Sequence, residues 1–576
     1  MGSVVEINMT SSNIYKFKFR KLHLLVVALF LFGFPTSQTV AQPPLETLLH
    51  LDKSFYATGE IVWFKLYLPF TWKDADVAIN TSVLDDEGQT IDQFFIKTEG
   101  KTYVNGYYQV PYDQRSGYLE IQFAASSDAQ KTENVIAHYS FPVYNDLEVP
   151  KDIELVDQPA PISEPLLYAE ELNINIDLLE TQIACRDLVH VQLNVKDNEG
   201  KPVSGHASIS VKEIEIYKPV GAEVRTLPLS YTIDQGDLKS EIYTRGQLTN
   251  PDGSPLQMNV LGGYVGRDQK VYYSKSFENG NFEIGLPDFT GRKIIQLVGF
   301  QYEKPDLRST MTFPQALSAN QEIIYTEDII KYLDLSRLRK KIYQYFNAAE
   351  TDLQTAEIDV PAQELKPDAR YSVKEYESFK DMKSFFGELL TPLRFKLEKD
   401  STYAATLFNA KGGRRSNTIL NGPPLFIIDG KMTRDADFVA RLPISAVETV
   451  ELFLDAPKVR SYFQAIGVSG VVKISTSIAN LKLPDADAGN IHPIFGLQPK
   501  ADFPSLKKQA DQLGDHQPYF RPQLFWKPDV NIEVGAATEF SFLQSDDAGA
   551  FEIKVVFQSE DGRRVTATHQ YEVAYP

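Results

Sequence analysis

The 576-residue chain has a single cysteine, Cys185, so no intramolecular disulfide can form and its cores must be held by packing alone. No cysteine stands near the N-terminus to take a lipid. Long apolar runs are equally scarce: the nearly unbroken stretch Leu22–Phe34 is 13 residues, short of the roughly 20 that a helix needs to cross a ~30 Å hydrocarbon core. No second run of span length follows, so no transmembrane segment is expected in the mature chain. Positive charge is in deficit, with 58 Lys and Arg against 77 Asp and Glu. Such a chain repels phosphate backbones and anionic lipid, which argues against nucleic-acid binding.

Four basic residues (Lys16, Lys18, Arg20, Lys21) precede the apolar run, and the small-residue stretch Thr39-Val40-Ala41 follows it. That order predicts a secretory signal over residues 1–41, cleaved after Ala41. Removing its four basic residues and one acidic residue leaves 54 against 76, a formal net charge of −22. A large exported chain without disulfides fits the periplasm of a Gram-negative bacterium, with the outer membrane as its expected point of association.

From Ile61 to Leu68 apolar residues alternate, Val62, Phe64, Leu66 and Leu68 on one face and Ile61, Trp63, Lys65 and Tyr67 on a mixed outer face. This period of two predicts a half-buried strand. Similar runs separated by turn clusters such as Asp85–Gly88 predict a sandwich over 42–145. The turn chemistry recurs at Asp197–Val203 and Asn250–Leu256, predicting a second sandwich over 146–243 and a third sandwich-like unit over 244–305. A helical connector is expected over 306–365, with Thr326 as N-cap and Ile330, Leu333, Leu338, Ile342 and Tyr345 as its stripe. An α+β segment is expected over 366–480, including a helix after Ser378 built on Phe379, Met382, Phe386 and Leu389. Seven prolines between Pro484 and Pro528 predict a linker over 481–520. A C-terminal β domain completes the reading over 521–576. The fold class is therefore mainly β.

Two segments carry a family resemblance. Leu51–Lys65, with its Asp52-Lys53, Tyr56 and Gly59-Glu60 positions, resembles the opening of the second macroglobulin domain of α-2-macroglobulins. Pro424–Gly430, Leu442–Glu451 and Gly467–Thr476 are similar to the plug domain of TonB-dependent receptors, with Tyr462-Phe463 where that family usually has Tyr-Gly. Only 98 residues follow Ile478, while a 22-stranded barrel at about 10 residues per strand needs well over 200, so the resemblance implies a plug without a barrel. Pro522–Asp529 with Phe540-Ser541-Phe542 looks like a late β domain of similar bacterial proteins. Together these imply an envelope protein of the Bacteroidota type: tandem macroglobulin or Ig-like β-sandwiches with an inserted plug-like domain.

Little chemistry is visible. Protease-trapping macroglobulins use a Cys–Gln thioester, but Cys185 sits in Ile183-Ala184-Cys185-Arg186-Asp187, which suits a partly buried strand residue. Of His50, His138, His190, His206, His492, His516 and His569, no two stand at the i, i+4 spacing of a helical zinc site; His190 and His206 could meet across a sheet. The acidic turns Asp85-Asp86-Glu87 and Asp546-Asp547 lack the spaced ligands of a calcium loop. Trp63, Tyr67 and Trp72 either form an exposed aromatic patch or cap the first sandwich. Gly413-Arg414-Arg415 reads as a solvated loop. No nucleophile elbow or phosphate loop is present. No catalytic, cofactor-binding or metal residue is expected, and no cofactor. The expected role is a non-enzymatic binding or scaffold module with an envelope or outer-membrane protein partner. The rivals are a thioester-free protease trap cut within 480–530, an accessory subunit of a TonB-dependent transporter, and a glycan-active enzyme with a dispersed carboxylate pair.

Overall fold

A computed structural model describes residues 47–126, 134–148, 155–156, 172–214, 224–225, 237–300, 307–315, 317, 322–346, 357–376, 379–390, 392–409, 418–419, 422–504, 518–535 and 537–574. The expected signal, Gly413-Arg414-Arg415 and His516 lie outside them. The architecture is mainly β.

In the first sandwich, Ile61–Tyr67 is the central strand of a three-stranded sheet between Leu48–Leu51 and Tyr103–Gln109. The opposite sheet runs Val224–Arg225, Asn134–Tyr144, Gly117–Ala125, Ala78–Leu84 and Thr90–Lys97. Val62, Phe64, Leu66 and Leu68 point into the shared core, where the Phe64 and Phe123 rings meet edge-on at 5.3 Å. All seven residues of the central strand are buried. The mixed face expected to meet water is therefore covered.

What covers it corrects the domain boundaries. The strand Gly205–Glu213 lies between Gln523–Ile532 and Gly549–Ser559, and Arg564–Ala574 and Ile183–Ala184 extend the same sheet. Opposite it, Leu188–Asp197 lies between Thr538–Leu543 and Leu172–Leu178. Residues 172–213 and 523–574 thus form one sandwich around one core, not a second domain and a separate C-terminal domain. The physical reason is completion: 172–213 contributes only four strands, and a central strand needs hydrogen-bonding neighbours on both sides.

The third unit also reaches past its expected end. One sheet runs Asn281–Leu286, Ile242–Thr249, Arg308–Met311; the other runs Lys270–Ser274, Leu261–Val265, Arg292–Gly299, Ile491–Phe495. The last strand comes from the expected linker. Its Pro493 faces Ile294 in an outer strand, where a residue without an N–H is tolerated. Beyond it, Gly496 O accepts from Phe95 N at 2.9 Å and Leu497 N donates to Phe289 O at 2.6 Å. This stretch joins the first sandwich to the third.

Residues 369–476 build a mixed sheet ordered Ala369–Ser372, Val447–Phe453, Val471–Thr476, Leu425–Ile428, Lys431–Thr433, with a small sheet of Leu393–Leu397, Tyr403–Asn409 and Thr418–Ile419 beside it. Asp429 and Gly430 both have positive φ, 48° and 79°, as a two-residue hairpin turn between paired strands requires. The expected helix after Ser378 begins later, at Met382–Glu388, where Asp381 accepts from Ser384 N.

Thr326 caps the helix Glu327–Tyr345, accepting from Ile329 N. Its expected stripe is wrong on one side: Leu338 and Tyr345 are 51% and 85% exposed. The buried face carries Ile329, Tyr332, Leu333, Ser336, Arg339 and Tyr343. Ser336 and Arg339 interrupt that face with polar groups, so a search for apolar spacing selects the wrong rotation.

Candidate functional site

The segment Asp52–Glu60 folds as a polar latch. Asp52 Oδ1 accepts from Tyr56 OH at 2.6 Å and from Trp63 N at 2.9 Å, tying the turn to the central strand. Burial raises the Asp52 carboxyl to about 6, against the opposing pull of Lys53 and these hydrogen bonds. Lys53 Nζ lies 2.6 Å from Glu60 Oε2, which also accepts from Ala57 N. The helix then docks on this latch through one face. Tyr332 OH donates to Glu60, Ser336 Oγ donates to Asp146 at 2.9 Å, and Lys340 Nζ donates to Asp146 and to Thr58 O, each at 2.6 Å. The i, i+4, i+8 spacing puts these three donors one above another. Arg339 reaches the other sandwich, 3.2 Å from Glu213 and 3.0 Å from Asp547, and Tyr343 OH donates to Phe520 O. One helix therefore bolts two sandwiches together.

The covered face of Ile61–Tyr67 forms a buried seam with the sheet that carries Gly205–Glu213. Lys65 is fully buried, its Nζ 3.8 Å above the Tyr103 ring and 4.5 Å from the Tyr67 ring. Burial pulls its amine down to about 7, with Asp529 raising it and Lys101 lowering it further. Burial opposes ionisation of Asp529, but His206, Tyr103 and Lys65 outweigh it and hold that carboxyl well below the usual range. His50 Nδ1 sits 2.6 Å from Ser208 Oγ, and the Tyr67 hydroxyl lies 2.9 Å from the same oxygen and donates to Val556 O. Burial, then Lys554, Lys212 and Lys65, depress the His50 imidazole. A serine–histidine contact of this kind can serve a nucleophile, but this one is sealed between two sheets.

The other singled-out residues disperse. Trp63, Tyr67 and Trp72 are all buried, so they form no exposed patch. His190 pairs with Glu180 at 2.7 Å, while His206 lies 3.3 Å from Asp529 in the opposite sheet; the two do not meet. Cys185 follows the two-residue strand Ile183–Ala184 and lies half-buried against that core. Burial and the neighbouring Asp546 raise its thiol. Asp85 accepts from Glu87 N and Gln89 N in an exposed turn. Asp546 pairs with Arg186 and accepts from Tyr519 N, so this second acidic turn is a structural junction. Among the described residues no group of three or more His, Cys, Asp or Glu could hold a metal ion, and no helix is long and apolar enough to cross a membrane.

Sheet edges show a contrast that sequence reasoning missed. The edge of Tyr103–Gln109 is closed by a side chain: Gln498 Oε1 accepts from Tyr107 N at 3.1 Å and Gln498 Nε2 donates to Tyr107 O. The edge of Thr90–Lys97 is closed at Phe95 by Gly496 and Gln498 backbone. The outer strand Lys270–Ser274 differs. Leu297 N donates to Asn490 O, which fixes the alternation across the sheet: Gly263 faces Tyr272, and Val271 and Tyr273 turn their N–H and C=O outward. No described group pairs with them. Beside this edge opens a groove of about 440 Å³, lined by Lys270, Val271, Tyr272, the strap 361–363, Ser461, Tyr462 and Gln464.

No protein-family model matches the chain, and no curated protein matches its sequence. Among solved structures it is similar to Salmonella α-2-macroglobulin reacted with methylamine, at 10% identity over 92% of this chain and 39% of that one, with a TM-score of 0.23. It is also similar to Escherichia coli α-2-macroglobulin activated by porcine elastase, at 8% identity over 92% and 44%, with a TM-score of 0.24. A tetra-tandem repeat from the extending region of a large adhesion protein matches at 8% identity over 92% and 99%, with a TM-score of 0.14. The chain spans less than half the length of the two macroglobulins.

Proposed function

We propose that this protein is an exported, non-catalytic scaffold of the bacterial envelope that acts by binding another envelope protein. The observation that carries this reading is the contrast between sheet edges. The chain closes two edges with its own Gly496–Gln498 segment, yet among the described residues nothing pairs with the outward backbone of Val271 and Tyr273, beside a groove that Val271 lines. Natural sheets cover such edges because unpaired backbone invites another strand, so an edge left open beside an aromatic-lined groove suits a partner.

The frame behind the edge supports the same reading. Strands more than 300 residues apart complete one sheet, and the helix Glu327–Tyr345 ties that sandwich to the first. Periplasmic export and an outer-membrane partner rest on the leader and on the resemblances of Leu51–Lys65 and 424–476.

The test is chemical crosslinking in the producing cells, followed by purification of this chain from fractionated envelopes. One partner in fixed stoichiometry, in the envelope fraction, is the expected result. A cytoplasmic chain, or an envelope chain that crosslinks to nothing above background, would sink the proposal.

A further inference from the structure

We infer that the Lys270–Ser274 edge takes an extended, acid-bearing peptide segment of a partner protein as an added β-strand. The inference deepens the binding role proposed above and rests on it.

Three features define the occupant. Backbone comes first: Val271 and Tyr273 present two N–H donors and two C=O acceptors toward the open side, a pattern that an extended chain satisfies and a helix cannot. Charge comes second. Among the described residues Lys270 is the single charged one lining the groove, and its ammonium has no carboxylate partner there. A ligand carboxylate placed there gains a partner at no cost to an existing ion pair. Shape comes third: Tyr272 and Tyr462 both line the space, which suits an apolar side chain at alternate positions of the added strand, with polar residues alternating outward. The Tyr462 hydroxyl oxygen already accepts from Lys366 N, so its proton is left to donate.

The groove lining adds an independent sign. Gln464, at the C-terminal end of the helix Ala456–Phe463, has φ 41° and ψ −125°, a conformation that side-chain-bearing residues avoid and that concentrates where a site demands it. It lines the groove that Val271 borders. The volume of about 440 Å³ lies within the common range for ligand sites, about 300–1,000 Å³.

A random 12-residue peptide library displayed on phage, selected on the full-length protein, is the direct probe. Enrichment of segments with period-two apolar alternation and at least one Asp or Glu is expected, followed by saturable binding of the top peptide, fluorescein-labelled, in anisotropy titrations. Val271→Pro removes an outward N–H while Lys270, Tyr272 and Ser274 keep their inward pairing, so it abolishes binding. Lys270→Glu weakens binding about fivefold, the scale of one exposed charge pair. Circular dichroism and thermal midpoints of both variants confirm that they fold. No enrichment, equal binding by folded Val271→Pro, or displacement of the peptide by chitohexaose would overturn the inference. If the crosslinked envelope partner is recovered equally with Val271→Pro, the scaffold role stands and this edge is not its site.

Discussion

At the scale of single residues, the seam makes a pH prediction with a fixed sign. Lys65 ionises at about 7 in the folded chain against 10.5 when unfolded. Between those values the unfolded chain binds the extra proton, so stability rises with pH across this window, and the cost of a buried ammonium is fully present below pH 7. Burial, the first cause, gives the direction; the size is on the order of a few kcal/mol. We predict that the thermal midpoint of the wild-type protein rises between pH 6.5 and 9.5, and that Lys65→Met both flattens this rise and raises the midpoint at pH 6.5. Methionine keeps most of the length of the side chain and removes the charge, at the loss of about 1–2 kcal/mol of cation–π attraction to Tyr103 and Tyr67. Parallel profiles for the two proteins by differential scanning calorimetry would falsify this account of the seam.

At the scale of elements, the helix Glu327–Tyr345 is held by polar contacts as well as by Ile329, Tyr332 and Leu333, which pack with Phe55 and Tyr144. Asp146 is completely buried and accepts from Thr58, Ser336 and Lys340. Asp146→Ala leaves the partly exposed Lys340 ammonium with Thr58 O and strips the Thr58 and Ser336 hydroxyls of their acceptor, a loss of about 1–3 kcal/mol. Hydrogen exchange is expected to quicken along Ile329–Tyr343 before it quickens in the first sandwich core; unchanged protection of the helix argues that the apolar cluster with Phe55 and Tyr144 holds it without Asp146. A smaller change belongs to the closed edge: Gln498→Ala removes two hydrogen bonds, costs about 1 kcal/mol and exposes the Tyr107 amide to exchange.

Those two cases also show what was legible in advance. Val62, Phe64, Leu66 and Leu68 announced the first core because water and apolar side chains sort along a strand with period two, and Thr326 announced a helix start because its hydroxyl has a local task. Asp429-Gly430 was legible as a tight turn for the same local reason. The outer face Ile61, Trp63, Lys65, Tyr67 read as solvent-facing because its cover comes from the sheet carrying Ser208, Trp526 and Val556, and nothing in seven residues reports a partner hundreds of residues away. The Pro-rich stretch read as a linker for a related reason. Proline density excludes central strands, and Pro493 sits in an outer one. The open edge at Val271 and Tyr273 left no trace in the sequence, since an edge differs from an interior strand only in what fails to pair with it.

At the scale of the molecule, the shared sandwich of 172–213 and 523–574 decides whether the chain is a string of domains or an interlocked frame. If the last strands formed an independent domain, deleting 518–576 would leave the rest intact. In this structure the deletion strips both neighbours from Gly205–Glu213. It also opens the core around Ala207, Ile209 and Val211 and uncovers Trp63 by removing Trp526. The three tryptophans of the chain report this separately. Trp526 leaves with the deletion, Trp72 stays buried in the first core beside Val77 and Ile79, and Trp63 passes from buried to wet. We predict a red-shifted tryptophan emission from the truncated chain, loss of exchange protection across Leu188–Asp197 and Gly205–Glu213, and recovery of both when residues 518–576 are co-expressed as a separate fragment. A truncated protein that keeps native emission and protection would show that the sandwich closes without its C-terminal strands, and the frame would then be a chain of separable modules.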